Sequence, residues 1–214
     1  YEYAMRERNR LLALGRSDAQ WLEALERKMA ETGIAIAAAR LHTVEHINGV
    51  MQASPLSFPK AVLALHGLAE GRLSGGEAAL SVEHAMAEAL ARSRVQDAAA
   101  GRALAGAHRS ELTVTHAQKQ VEAATCSTGE QKALLLSIVL AEARAAGVWG
   151  KPLPVLLLDE ALSHLDAARR AELFHEIEAL GTQAWLTGTE LSLFEGMRDN
   201  TLVFRVEQGR VIAL

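Results

Sequence analysis

The sequence of 214 residues predicts an α/β fold in two parts: an all-α helical arm over residues 1–100 and a mixed sheet with helices over residues 101–214. Two observations support this division. The first part is rich in alanine and leucine, which are strong helix formers, and its apolar residues recur at helical spacing. The second part alternates short apolar runs with helical segments, which is the pattern of an α/β sandwich.

The arm begins with three predicted helices. YEYAMRERNRLLALG ends at Gly15, and the second helix starts at Ser17 or Asp18, both of which are good N-caps, and stops at Gly33. Its buried stripe is expected at four-residue intervals: Trp21, Leu25 and Met29. A third helix is expected over residues 34–51, and the short polar joints predict that neighbouring helices run antiparallel.

The rest of the chain is predicted in the same way. Residues 54–75 contain Pro55, Pro59 and several glycines, which predicts an irregular connector before an alanine-rich helix over 76–100. The strand candidates are ELTVTH, KPLPVLLLDE, QAWLTGT, NTLVFRVE and GRVIAL, with helices over 128–146 and 167–180 among them. The EQGR stretch between the last two strands predicts a hairpin turn.

Composition excludes several classes of protein. The net charge of −4 leaves no basic footprint, so this chain alone is not expected to bind DNA tightly. The single Cys126 excludes an internal disulfide framework and suits a reducing cytosol, which predicts a cytoplasmic location. No apolar run approaches the ~18–20 residues of a membrane span, so no membrane partner is expected.

The strongest chemical signal is VLLLDE, which places Asp159 and Glu160 at the carboxyl end of a buried strand, where open α/β sheets bind ligands. One carboxylate there can hold Mg²⁺ through water and the other can orient or deprotonate an attacking water, as in a Walker B motif. Capping of the next helix by Asp159 is the structural alternative. The SHLD loop follows, with Ser163 and Asp166, and this combination predicts an ABC-type ATPase head.

Two stretches compete for the signature loop of such a head, LSGGE at 73–77 and STGEQ at 127–131. One helix and a loop fit between Ser127 and Asp159, whereas Gly75 is more than twice as far from Asp159 along the chain. STGEQ also lies at a predicted helix N-terminus, where free N–H groups attract phosphate. Its helix has an apolar anchor in Leu134, Leu135, Ile138 and Leu140. We therefore expect STGEQ to be the signature, and LSGGE to be a turn with Ser74 or Gly75 near the cap of helix 76–100.

These motifs resemble one family. EHAMAEALARSRVQDAAAGRALAGAHRSEL, CSTGEQKALLLSIVLAE, VLLLDEALSHLD and AWLTGT occur in the order and spacing of the RecF family of bacterial recombination mediators, and YEYAMRERNRLL resembles the start of its helical arm. The resemblance implies a head of the SMC and Rad50 type with its signature, Walker B motif, D-loop and terminal strands in residues 101–214. It further implies weak ATPase activity in the full-length protein, with ATP and Mg²⁺ as cofactors.

The resemblance also implies a function in DNA repair, recombination, replication and the SOS response. In this family ATP drives homodimer formation on double-stranded DNA and at single/double-strand junctions, and RecR and RecO help to load RecA at gapped DNA and to maintain replication forks. The AGAHRSEL stretch is similar to the family's G-P-H-R-x-x-L segment, with Ala107 in place of the proline. His108 and Arg109 are therefore candidates for DNA or nucleotide contact, with an ordinary structural role as the alternative.

The family also implies roles for the site residues. The signature residues Ser127, Thr128, Gly129, Glu130 and Gln131 would face ATP bound by the opposite subunit. Asp159 would serve Mg²⁺ and Glu160, where the family has a second Asp, would position the water, while Ser163 and Asp166 would lie in the D-loop at the dimer seam. Thr189 stands where many ABC proteins have a switch histidine, and because threonine cannot carry a proton's charge, slow hydrolysis is expected.

No G-x-x-x-x-G-K-[ST] loop occurs in the sequence. In RecF proteins that loop precedes the helical arm, so we expect this chain by itself neither to bind ATP tightly nor to hydrolyse it, and its sheet to show an uncovered apolar face. Two alternatives stay open. The chain could be another SMC- or Rad50-like ABC head, or a non-enzymatic interaction module with a relic ATPase fold.

Overall fold

A computed structural model describes residues 1–15, 18–54, 58–197 and 201–214. Ser17, Pro55 and Asn200, which entered the predictions above, lie outside the described residues. The chain divides into two compact units, one formed by Tyr1–Gly49 with Val62–Thr115 and the other by Val50–Ala61 with His116–Leu214.

The first unit is mainly helical. Its elements, each assigned by its larger part, are α1 (Glu2–Ala13), α2 (Ala19–Ala53), β1 (Ala61–His66), α3 (Leu68–Ser74), α4 (Ala79–Arg92), α5 (Arg94–Ala100), a 3₁₀ turn (Ala107–Arg109) and β2 (Glu111–His116). Strands β1 and β2 are hydrogen-bonded neighbours, and the ELTVTH strand is thereby confirmed.

The second unit combines helices and short strands. Its elements are β3 (Val121–Glu122), α6 (Thr128–Val148), β4 (Leu156–Leu158), α7 (Ala167–Leu180), β5 (Ala184–Leu186), β6 (Phe204–Glu207) and β7 (Arg210–Ala213), with 3₁₀ turns at Ala123–Thr125 and Leu191–Phe194. Each of these strands and helices that was predicted from the sequence is confirmed, and the bounds of α7 match the prediction.

Helix α2 corrects the prediction of two antiparallel helices that meet at Gly33. It runs unbroken, and its start is capped by Asp18, whose Oδ1 accepts hydrogen bonds from the amides of Gln20 and Trp21. Gly33 lies inside the helix, and a Cβ at this position would be 3.3 Å from the Tyr1 ring. The glycine therefore makes room for an aromatic ring and does not end the helix.

The buried stripe of α2 also differs from the predicted one. Trp21 is exposed, and the buried positions near the start of the helix are Leu22, Glu26, Met29 and Ala30. Met29 is buried as predicted and Leu25 is partly buried against the same core, so only Trp21 falls outside the stripe. The stripe instead includes Leu22 and the carboxylate of Glu26, which the apolar periodicity did not mark.

The connector predicted over 54–75 was wrong, because β1 and α3 lie within it. The predicted helix 76–100 is two helices, α4 and α5, that meet at Ser93. Ser74 ends α3 and Gly75 is its C-cap, followed by Gly76 at φ +83°. LSGGE is therefore the end of a helix and the turn after it, and Ala78 takes the N-cap position of α4.

A buried charge network joins α1, α2 and the α4–α5 junction. The fully buried Arg8 guanidinium donates to Glu26 (2.9 Å), to Asp97 (2.7 Å) and to the Leu90 carbonyl (2.6 Å). Asp97 also accepts from the Leu104 amide, and Arg94 pairs with Glu26. Because both carboxylates and the guanidinium have partners, the network compensates the desolvation of its charges.

In the second unit, α6, α7 and the β4–β5 pair enclose the apolar core. Strands β4 and β5 are parallel, with Leu156 opposite Ala184 and Leu158 opposite Leu186. The core residues of α6 are Ala133, Leu136, Leu140 and Ala143. Leu135, which the sequence analysis placed in the anchor, is 60% exposed because it points away from that stripe.

Strands β6 and β7 form an antiparallel hairpin with Glu207 opposite Arg210. The two loop residues between them, Gln208 at φ +49° and Gly209 at φ +75°, have the backbone of a type I′ turn. The predicted EQGR hairpin is therefore confirmed. Within the described ranges, no helix has both the length and the apolar character that crossing a bilayer requires.

Replacing Arg8 with Met should destabilise the chain by about 3–5 kcal/mol, because Asp97 and Glu26 would lose a buried cationic partner. The measurement is the free energy of unfolding in urea. Arg6→Met is the matched control, since Arg6 is exposed and pairs with Glu2 on the same helix; it should cost about 0.5 kcal/mol or less. Equal unfolding midpoints for the two variants would contradict a structural role for the network.

Candidate functional site

The acidic pair lies where β4 ends. Asp159 follows Leu158, and Thr187 follows its partner Leu186 on β5, so the two side chains meet at the carboxyl edge of the parallel pair. The Thr187 hydroxyl donates to Asp159 Oδ1 and accepts the Glu160 amide at 2.9 Å. Both carboxylates are exposed. The structure thus holds the backbone of the pair in place and leaves its side chains open to solvent.

The loop after β4 has an uncommon backbone. Glu160 has φ +51° and His164 has φ +66°, a conformation that costs about 1–3 kcal/mol for a residue with a side chain. The Glu160 carbonyl accepts from the Ser163 hydroxyl (2.7 Å) and from the Ser163 amide (3.2 Å). These bonds close a tight turn, which keeps Glu160 in its uncommon conformation.

The predicted signature forms the N-terminus of α6. Ser127 is the N-cap and forms a capping box with Glu130, whose carboxylate accepts from the Ser127 amide (3.1 Å) and hydroxyl (3.0 Å). Gln131 donates to the carbonyls of Ala124 and Cys126, both at 3.1 Å. Ser127 and Thr128 are exposed at this end of the helix. The side chains of Glu130 and Gln131 therefore stabilise the loop that precedes α6 by hydrogen bonds to it.

A lysine stabilises the charged form of the capping box. Hydrogen bonding from Lys119, together with that from Ser127, lowers the pKa of Glu130 from 4.5 to about 2. Because this pKa is lower in the folded chain, the contribution of Glu130 to stability is complete above pH 4.5 and disappears as the pH falls through about 2. The start of α6 therefore keeps its cap at neutral pH.

Gly129 brings the signature loop against the loop after β4. A Cβ at this position would lie 2.9 Å from the His164 carbonyl oxygen, which is closer than such atoms approach. Only glycine allows the start of α6 to lie this near the D-loop backbone. Within one chain, the predicted signature and the predicted D-loop are therefore packed against each other.

The other predicted D-loop residue, Asp166, is the N-cap of α7. Its Oδ1 accepts from the Arg169 amide at 2.8 Å, and the side chain is exposed. Thr189, the predicted switch, is also exposed, and it lies two residues beyond the threonine that contacts the acidic pair.

Sequence reasoning missed two residues of this site. Thr187 was part of the AWLTGT motif but received no role, because only the register of β5 against β4 shows which threonine reaches Asp159. Lys132 was also passed over. Its ammonium donates to the Glu160 carbonyl and, at 2.6 Å, to the Ser163 hydroxyl. No sequence signal separates it from an ordinary surface lysine.

Asp159 and Glu160 provide carboxylate oxygens as possible metal donors at this edge. Asp159 keeps one carboxylate oxygen that is not bonded to Thr187, and Glu160 is adjacent. Mg²⁺ uses one or two carboxylates together with water and substrate phosphates, so this donor set fits it. Within the described ranges, this edge included, no cluster of three or more His, Cys, Asp or Glu residues could hold a metal ion.

His108 and Arg109 lie in the first unit and differ in how far their side chains are engaged by hydrogen bonds within the chain. The His108 ring meets the Tyr1 hydroxyl at Nδ1 (2.8 Å) and the Ala103 carbonyl at Nε2 (3.0 Å), so both nitrogens are engaged. Arg40 donates to the Ala107 carbonyl and further fixes this turn. Burial raises the pKa of Tyr1. Because His108 Nε2 faces a carbonyl and must donate, the Tyr1 hydroxyl donates to Nδ1 of the neutral ring. Arg109 is exposed at the end of the same turn.

Comparison with known proteins identifies similar sequences along the whole chain. The DNA replication and repair protein RecF of Brucella abortus is 46% identical over 216 residues, covering 100% of this chain and 56% of the Brucella protein. RecF of Mesorhizobium japonicum is 47% identical over 213 residues, again covering 56% of that protein. The predicted resemblance to RecF is thereby confirmed, and the chain spans about 56% of the length of these relatives.

Solved structures agree on the fold. The chain matches a structure described as the recombination mediator protein RecF-ATPrS in the RecFOR pathway, with a TM-score of 0.76 and 23% identity. The match covers 100% of this chain and 57% of that one, and a RecF-ATP structure gives the same values. The predicted ABC-ATPase-type α/β fold is confirmed. No family model matches the sequence.

Replacing Gly129 with Ala should destabilise the chain by about 1–3 kcal/mol, because the added methyl would force the His164 carbonyl to move. Urea unfolding measures this change. Gly49→Ala is the matched control, since Gly49 is also helical and nothing lies within 4 Å of the added Cβ. It should stabilise the chain by about 0.5–1 kcal/mol. A gain in stability for Gly129→Ala would show that the two loops are not in contact.

Proposed function

The chain belongs to the RecF family, and on that premise we propose that it supplies the Walker B and signature parts of an ATP-driven switch in DNA repair and recombination. One observation carries the proposal: Asp159 and Glu160 are held by their backbone at the carboxyl end of β4 while their carboxylates stay exposed. A site with this geometry can receive a nucleotide and its metal from outside the chain.

Each group has a separate task at the bound nucleotide. Asp159, fixed by Thr187, would hold Mg²⁺ through water with its second carboxylate oxygen. That ion would neutralise charge on the phosphates. Glu160 would accept a proton from the attacking water or orient it, and Thr189 would offer a neutral hydroxyl where a histidine could carry charge. The neutral hydroxyl favours slow hydrolysis, which suits a switch.

The signature would act on the nucleotide of a second subunit. Ser127, Thr128 and Gly129 form the exposed N-terminus of α6, whose free amides and helix dipole attract a γ-phosphate. Asp166 is exposed at the start of α7 and could lie at the seam between the two subunits. ATP would then join two heads, and hydrolysis would release them.

The wider function follows the family. We propose that the ATP-bound homodimer binds double-stranded DNA and single/double-strand junctions in the cytoplasm. With RecR and RecO it would help to load RecA at gaps and stalled forks. The names of the relatives support DNA replication and repair, and the solved structures are described as mediators of the RecFOR pathway.

The test uses a full-length RecF that contains this chain. Glu160→Gln should lower ATP hydrolysis by roughly 100-fold, since it removes a general base, and should let ATP-dependent dimers accumulate. Phosphate release and light scattering after size exclusion measure the two effects. Glu142→Gln, on the exposed face of α6, is the control and should behave as the unchanged protein.

A second variant tests action between subunits. Ser127→Arg should leave ATP binding intact and abolish the dimer, because the bulky side chain would meet the partner's nucleotide. Hydrolysis by Glu160→Gln at the normal rate, or dimers of Ser127→Arg, would refute the proposed site.

Arg109 is the better candidate of the AGAHRSEL pair for contact with DNA. Because both His108 nitrogens are engaged within the chain, we propose that His108 holds the turn and that Arg109 reaches a phosphate. The exposed guanidinium at the end of a fixed turn would bind with little loss of backbone entropy.

Arg109→Ala in a full-length RecF should weaken ATP-dependent DNA binding. It should also reduce the magnitude of the slope of log affinity against log salt by about 1, the change expected for the loss of one phosphate contact. Fluorescence anisotropy at several salt concentrations measures both. Arg102→Ala is the matched control, since Arg102 is also exposed and lies on the same segment. Identical salt slopes for the two variants would exclude Arg109 from the DNA interface.

A further inference from the structure

Lys132 links the signature helix to the loop that carries Glu160. It lies in the second turn of α6, and its ammonium donates to the Glu160 carbonyl and to the Ser163 hydroxyl. The same hydroxyl donates to the same carbonyl at 2.7 Å. With the Ser163 amide, which also donates to this carbonyl, three donors from two segments converge on one oxygen.

The Glu160 peptide is consequently held at both ends. Its amide donates to Thr187 beyond β5, and its carbonyl accepts from Lys132 and Ser163. A glutamate at φ +51° needs such support, because few residues with a side chain adopt this conformation unaided. Hydrogen bonds from an ammonium are stronger than those from a neutral donor. Lys132 is thus the strongest donor on the carbonyl side.

We propose that Lys132 is a positioning residue that makes the direction of the Glu160 carboxylate depend on the position of α6. The inference rests on the proposed function, in which Ser127 touches one nucleotide and Glu160 acts on another. Ser127 and Lys132 lie at the same end of one rigid helix, so a shift of α6 when the signature engages moves the ammonium with it. Contact of Ser127 with the nucleotide in one pocket would then control the rate of ATP hydrolysis by Glu160 in the other.

Gly129 supports this coupling. Because its backbone lies close to the His164 carbonyl, α6 cannot move toward the 160–166 loop without displacing it. Lys132 adds a directed bond to that contact, and it acts on the residue that would orient water. A steric contact alone would move the loop without fixing the Glu160 peptide plane.

The first measurement is amide hydrogen exchange on this chain without nucleotide. Lys132→Met should speed exchange of the Glu160 and Ser163 amides about tenfold, because each lies in the turn that the ammonium closes. Lys132→Arg keeps a cation and should restore slow exchange. Lys151→Met is the control at the other end of α6, where the ammonium lies over the Trp149 ring, and it should change neither amide.

The second measurement is ATP turnover by a full-length RecF that contains this chain. Lys132→Met should lower kcat about tenfold while leaving KM for ATP and ATP-dependent dimer formation unchanged, and Lys132→Arg should recover kcat. A purely structural defect would lower binding and dimer formation together with kcat.

The outcomes separate the two proposals. Normal exchange or a normal kcat in Lys132→Met overturns the inference. If the unchanged protein forms no ATP-dependent dimer and hydrolyses no ATP, the proposed function fails instead, and the exchange data alone then decide whether Lys132 holds Glu160.

Discussion

The parallel pairing of β4 with β5 is the constraint on which the candidate site depends. Each strand has only three residues, yet their register decides that Asp159 and Thr187 emerge side by side. The threonine then bonds the aspartate side chain and the next amide. A register shift of β4 against β5 by one residue would turn Leu158 out of the core and separate Asp159 from Thr187. The burial of Leu156 and Leu158 therefore also fixes the hydrogen bonds that Thr187 makes.

The first unit has an apolar core and, beside it, a buried cluster of charged side chains. Arg8, Glu26 and Asp97 are buried together, and they fix three helices at one point. Such a cluster tolerates little rearrangement, because any displacement leaves a charge unpaired in a medium of low dielectric. The cluster therefore holds the surrounding helices in one arrangement. The same unit contains the Tyr1–His108 contact and the exposed Arg109.

Local signals predicted the elements that are determined locally. A cap at Asp166 and a glycine at 181 bound α7, and a two-residue loop closes the last hairpin, so both were correctly predicted. The failures came from tertiary contacts. In the sequence Gly33 has the pattern of a helix end, because its contact with the Tyr1 ring is visible only in the structure. Thr187 and Lys132 have no pattern of their own, since their roles arise from strand register and from the approach of two distant segments.

The exposure of the acidic pair is consistent with the expectation that this chain alone does not hydrolyse ATP. The carboxylates of Asp159 and Glu160 face water, whereas electrostatic catalysis needs a site from which water is excluded. Beside them, Leu157 is 77% and Trp185 is 53% exposed, although strands of parallel sheets are ordinarily covered on both faces. The expected uncovered apolar face is therefore present. Hydrogen bonds fix the backbone of the acidic pair within this chain. On the proposed function, hydrolysis would require further surfaces to cover the exposed carboxylates and exclude water.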